Sequence, residues 1–190
     1  MNALGARLFA TGLVAGLACP ASAGQISSLY TPLDLGKCEL VESVPNEGGS
    51  AIWECKGYKD MRVRVAEGDL RFFVSFGAKA DSQTAAGQTL TVFNTIHNTL
   101  EWRVERKDGE WVPFATILRY FWSSNGRNGE TLVVTKLGSL DACHVAHVLA
   151  SGNPRANDMA RYAADTRARG FDCSKTQTLR FGPGGELVPQ

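Results

Sequence analysis

Met61-Arg62-Val63-Arg64-Val65-Ala66-Glu67-Gly68-Asp69-Leu70-Arg71-Phe72-Phe73-Val74-Ser75-Phe76 is a pair of alternating runs about a turn signal. Met61, Val63 and Val65 alternate with Arg62 and Arg64; Leu70, Phe72, Val74 and Phe76 alternate with Arg71, Phe73 and Ser75. Residues two apart on a strand share a face, so each run reads as a strand with one apolar side. With Glu67-Gly68 as the turn, Val65 faces Leu70 and Val63 faces Phe72, and the two apolar sides become one. The same register sets Arg64 directly opposite Arg71 on the outer face.

The pattern repeats outward from this hairpin. Cys38 to Val44 and Ser50 to Lys56 read as strands about the Pro45-Asn46-Glu47-Gly48 turn signal. Leu100, Trp102 and Val104 alternate with Glu101, Arg103 and Glu105, and Asp108-Gly109 leads into Trp111 to Phe121. Asn125-Gly126 and Asn128-Gly129 mark a loop into Thr131 to Leu137, and Cys143 to Leu149 reads as the last strand. Gly77 to Asn98 has no clean period and suits a mobile loop, a short helix or an element the pattern conceals. The fold class expected is α+β, mostly β: an antiparallel meander sheet of about eight strands with one C-terminal helix packed on it.

That helix is expected from Pro154 to Arg169. Asn153 suits the N-cap, Pro154 the first position and Gly170 the stop, and Ala156, Met159, Ala160 and Ala163 form a small apolar stripe. Arg161 is spaced to pair with both Asp158 and Asp165. Four cysteines follow the N-terminal region, and four allow three pairings. Geometry favours one. If Val44 pairs with Gly49, Cys38 lies across from Cys55, within disulfide reach. A strand from Ala142 to Ala150 followed by the returning helix brings Cys173 back beside Cys143.

The N-terminus carries Arg7 as its only charge, an apolar run from Leu8 to Ala18, and Ala21-Ser22-Ala23 as a small-x-small site. Residues 1–23 are therefore expected to be a signal peptide cleaved near Ala23, with lipidation at Cys19 the competing route. Residues 24–190 are expected to form a single globular domain, periplasmic or secreted, with its cysteines oxidised. The whole chain has 20 Lys and Arg against 19 Asp and Glu, so loss of Arg7 leaves the charges balanced. That balance argues against bulk capture of nucleic acid. No transmembrane segment and no cofactor are expected.

Tyr30-Thr31-Pro32-Leu33-Asp34-Leu35, Gly68-Asp69-Leu70-Arg71-Phe72-Phe73-Val74 and Leu132-Val133-Val134-Thr135-Lys136-Leu137 resemble stretches of an uncharacterised family of small secreted or periplasmic proteins of Gram-negative bacteria. The resemblance implies an envelope address and transfers no site, because no known activity belongs to that family. Trp53-x-Cys55-x-Gly57-Tyr58 is similar to one hairpin of small periplasmic lysozyme inhibitors, without anything that corresponds to their inhibitory loop.

Several groups are candidates for chemistry. The sequence holds no nucleophile elbow, phosphate loop, zinc-protease or calcium motif. His144 and His147 are three apart, which on a strand sends them to opposite faces and argues against a shared metal. His97 is the weak candidate for a catalytic base, with Asp81 as a nearby acid. Arg62, Arg64 and Arg71 suggest an anion site, unless Glu101 and Glu105 neutralise them. Trp53, Tyr120 and Trp122, with Trp111 and Phe121 near them, suggest stacking on a sugar or a partner. The function expected is a non-enzymatic binding domain for a protein partner or an anionic or sugar ligand, with a hydrolase inhibitor as its most concrete form. The alternative is an envelope hydrolase with an unrecognised site.

Overall fold

The Met61–Phe76 stretch does form an antiparallel hairpin, of β4 (Arg62–Gly68) and β5 (Arg71–Phe76), but its register is displaced by four residues. Val65 lies opposite Val74 and Val63 opposite Phe76. The turn is the two-residue Asp69-Leu70, both left-handed at φ 51° and 57°. Such a turn matches the twist of the strands it joins. It also pairs the whole of β5, whereas the expected register leaves Ser75 and Phe76 without partners. Because the displacement is even, Val63, Val65, Phe72, Val74 and Phe76 still face inward as expected, whereas Leu70, expected inward, lies in the turn and is 62% exposed. Arg64 and Arg71 are not opposed: Arg64 lies between Ser75 and Glu54, and Arg71 lies opposite Gly68.

The computed structural model describes residues 24–45, 49–139 and 141–189. The expected leader, with Cys19 and Ala23, lies outside the described residues, as do Asn46, Glu47 and Gly48 of the first turn. The remaining strands are β1 (Ile26–Pro32), β2 (Glu39–Val44), β3 (Ser50–Lys56), β6 (Phe93–Lys107), β7 (Glu110–Ser124), β8 (Arg127–Lys136), β9 (Cys143–Leu149) and β10 (Leu179–Phe181). They form two sheets, ordered β2-β3-β4-β5 and β1-β6-β7-β8-β9-β10, rather than one meander. β10 runs parallel to β9, so the larger sheet is mixed and Cys143–Leu149 is not the last strand. Among the described residues there is no helix long and apolar enough to cross a membrane.

The reason for two sheets is burial. The apolar sides of β3, β4 and β5 offer more surface than one Ala-striped helix can cover. They close instead on the larger sheet, around Val63, Val65, Phe76, Leu100, Trp102 and Tyr120. The opposite face of the larger sheet takes α1 (Ala156–Arg167), whose Ala156, Ala160, Ala163 and Ala164 are buried against Ile117, Val134, Val145 and Val148. The helix is shorter than expected at both ends, and Asn153 Oδ1 accepts from Arg155 N at its start.

A row of alternating charge also holds the helix. Glu101, Arg103 and Glu105 of β6 meet Arg161, Asp165 and Arg169 in turn, at 2.7, 2.6 and 2.8 Å. Four helical residues climb about 6 Å and two strand residues about 6.7 Å, so the two series stay in step. This corrects two expectations. Arg161 pairs with Asp158 and Glu101 but leaves Asp165 to Arg103, and Glu101 and Glu105 are occupied by the helix rather than by the β4–β5 arginines.

Both expected disulfides are present, Cys38–Cys55 and Cys143–Cys173, with Cα separations of 4.7 and 5.7 Å. The first does not arise by the simple count. Val44 pairs with Ser50, and a bulge between Leu40 and Glu42 restores the register that brings Cys38 level with Cys55. The irregular Gly77 to Asn98 stretch holds two short 3-10 turns, Ala80–Ser82 and Thr84–Gly87, and then the start of β6. Its side chains cover the free edge of β5: Gln83 bonds both Phe76 N and Phe76 O, Asn94 accepts from Phe72 N, and Thr89 donates to Phe72 O. An open strand edge is thereby blocked.

Candidate functional site: a histidine and arginine cleft at the end of the larger sheet

β9 carries a bulge. Val134 pairs with Ala146 but Thr135 with His144, which leaves Val145 as an extra residue. Val145 and Ala146 both turn toward the helix layer, and His144 and His147 both turn to the other face. Their rings meet, with His144 Nδ1 3.0 Å from His147 Nε2. The expectation that this pair points to opposite faces is therefore wrong. A regular strand would press His147 against the alanine stripe of α1; the extra residue puts Ala146 and Val148 there instead.

His144 is 2% exposed. Gln88 Oε1 accepts from its backbone N–H, and its carbonyl accepts from Thr178 Oγ1. Its Nε2 is buried without a hydrogen-bond partner among the described residues. Burial, with His147 beside it, holds His144 well below the ordinary imidazole range, and burial with the charge of Arg180 lowers His147 to about 4. Arg180 faces His147 from β10, and Arg71 of β5 lines the same cleft.

The consequence is acid lability. In the unfolded chain both histidines titrate near 6.5. The unfolded state takes up protons first as pH falls, so native stability is full above about 6.5 and declines toward 4. Urea midpoints measured between about pH 7.5 and 4.5 are expected to fall, and to fall less in His147→Gln. A flat profile in the parent would mean that the pair is not held neutral.

Two openings meet at His147. The smaller, 340 Å³, lies between β5, the Gln88–Thr91 segment and β9, and holds Arg71, His144, His147 and Arg180. The larger, 650 Å³, is walled by Trp122, Leu149, Phe181 and Val188 and reaches Arg127 at its rim. Leu90, Thr91, His147 and Arg180 border both. Among the described residues three arginines and no carboxylate line the pair of clefts. Arg71 Nε is buried and unpartnered while its Nη2 reaches Asp69 in the turn, and among the described residues Arg180 forms no ion pair.

Trp122 shapes the larger cleft. Its indole lies on Gly129, where a Cβ would sit 2.1 Å from Trp122 Cζ2, so no larger residue fits with the ring in place. Its Nε1 donates to Thr131 Oγ1 at 3.1 Å.

The structure distributes the other sequence candidates differently. Arg71 and Trp122 belong to the clefts. Arg62 is bound in fork fashion by Glu54. Trp53 stacks on Phe72 at 6.4 Å between the sheets, which takes it out of the expected role of stacking on a sugar or a partner. Tyr120 is 1% exposed, with burial raising its phenol well above its ordinary range, so it is core rather than a stacking surface. His97 lies within β6, not in a loop. Its Nδ1 accepts from Thr99 N and its ring packs near Phe121. Asp81, in Ala80–Ser82, acts on Arg62. Arg180 carries no sequence signal, because a three-residue parallel strand has too short a pattern to read, and Arg127 falls between the Asn125-Gly126 and Asn128-Gly129 pairs that read as a loop.

The chain matches no protein-family model, no curated protein and no solved structure. Its function has to be argued from these clefts. Among the described residues no group of three metal-ligating side chains is assembled. In the histidine pair each ring already engages the other. What remains is a basic, partly buried surface lined by Arg71, His147 and Arg180, which is chemistry suited to holding a negative group.

Proposed function

We propose that this chain is a non-enzymatic binding domain of the periplasm or secreted space that takes a small anionic ligand in the cleft of Arg71, His147 and Arg180. The observation that carries this reading is Arg180, a half-buried residue that among the described residues has no ion pair and lies in a cleft lined by no acid. A charged group withdrawn from water is costly unless paired, and a carboxylate or phosphate would supply the partner in fork geometry. Two disulfides support the oxidising compartment, as does the resemblance to secreted proteins. The hydrolase alternative rested on His97, whose partners are a backbone N–H and a phenyl ring.

Titration with inorganic phosphate and with acetate, followed by calorimetry and by the imidazole proton signals, tests the reading. His147 signals are expected to shift with either ligand. Arg180→Gln is expected to weaken binding by about tenfold to a hundredfold, the range for a hydrogen bond to a charged group. Equal affinity in parent and variant would remove the site.

A further inference from the structure

We infer that the ligand is an amphiphilic anion, with a carboxylate or phosphate head between Arg71, Arg180 and His147 and a single alkyl or acyl chain along Leu90, Leu149, Phe181 and Val188. This rests on the anion reading above and specifies its ligand. The two clefts share His147 and Arg180, so a head group at those residues is already at the mouth of the larger cleft. That cleft, at 650 Å³, falls within the roughly 300–1,000 Å³ usual for small-molecule sites.

The wall chemistry separates a chain from a sugar. Leu90, Val92, Leu149 and Val188 are aliphatic, and Phe181 continues the surface. Trp122, the one indole present, has one face laid on Gly129 and its only donor given to Thr131. It therefore offers carbon surface and no hydrogen bond to a hydroxyl. The cleft also carries Thr91, Ser124, Asn125, Arg127 and Thr131, but hydroxyls set against Leu90, Leu149, Phe181 and Val188 would go unmet, whereas a hydrocarbon chain there requires only exclusion of water. The head end is the reverse: His147 presents a neutral imidazole beside Arg180, and Arg71 Nε is buried and unpartnered.

The test is a series of ligands kept below their micelle concentrations: inorganic phosphate, octyl phosphate, dodecyl phosphate, dodecanoate and 1-dodecanol, measured by calorimetry with the full chain. Affinity is expected to rise by up to roughly fourfold per methylene buried and then to level off as the cleft fills. 1-Dodecanol is expected to bind at least tenfold more weakly than dodecyl phosphate. Leu149→Gln is expected to weaken dodecyl phosphate while leaving inorganic phosphate unchanged, and Val188→Gln, at the exposed rim, does the same without entering the core. If phosphate and dodecyl phosphate bind alike, the chain site fails and the anion site stands. If 1-dodecanol matches dodecyl phosphate, or if nothing in the series binds, the anion reading falls with it.

Discussion

Arg103→Leu is expected to destabilise the protein by about 3–5 kcal/mol, the cost of breaking a buried ion pair from one side. Arg103 is 9% exposed at its side chain. It holds Asp165 through two hydrogen bonds, at 2.9 and 2.6 Å, and donates to Ser28 Oγ. Leucine fills part of the space and leaves Asp165 facing the sheet without a cation. A domain of this size has roughly 5–15 kcal/mol of total stability, so the loss would lower the melting temperature by about 6–20 °C. The double variant Arg103→Leu, Asp165→Leu is expected to recover much of this, because no charge is then stranded. Lys107→Gln is the control: Lys107 pairs with Glu105 but is 59% exposed, and exposed pairs are worth about 0–1 kcal/mol. Thermal melts of the four proteins decide the matter. A melt of Arg103→Leu within about 2 °C of the parent would show that apolar packing alone holds the helix.

Replacing Cys143 and Cys173 by Ala is expected to cost about 3–4 kcal/mol in the chain-entropy account, and to abolish ligand binding before the domain unfolds. The bridge closes a separation of 30 residues and fixes the chain shortly before β10. β10 is three residues long and lies at a sheet edge; its neighbourhood is held by Thr178 Oγ1 to His144 O and Val188 N to Arg180 O. So short a strand gains little by itself. Without the bridge Arg180 leaves the level of His147, and the head site loses its main cation. The comparison is Cys38→Ala with Cys55→Ala. That bridge closes 17 residues on the smaller sheet and is worth about 3 kcal/mol by the same account, yet phosphate binding at pH 7 should survive its removal. Denaturation midpoints and phosphate affinity, measured on both double variants, separate the two. Equal loss of binding in both would mean that the bridge near β10 has no special hold on the cleft.

The candidate site was only partly legible in the chain. Arg71 and Trp122 stand out from their alternation and aromatic character, and both reach the clefts. His144 and His147 stand out as a spaced pair, but their common face does not, because a bulge leaves no mark in residue types: Val145 and Ala146 are as ordinary on an alternating strand as on a bulged one. Trp53 and Tyr120 lie between the sheets, which alternation cannot tell, because it says that neighbours part and not which side is covered. Arg180 gave no sign at all.

Local patterns determined most of the strand identities, the inward sets of β4 and β5, the alanine stripe and both disulfide pairs. All of these follow from repeat distances along the backbone, two residues per strand period and 3.6 per helical turn. They survive an error of register so long as the shift is even, as at β4 and β5. Only the tertiary structure decided that the strands divide between two sheets, that β1 and β10 complete the larger one, that Glu101, Arg103 and Glu105 serve the helix, and that one extra residue turns two histidines to the same side. Each of those outcomes depends on what lies across the layer. An apolar face specifies that it must be covered but not by which partner, and the choice is made by the surfaces that fit once the whole chain has closed.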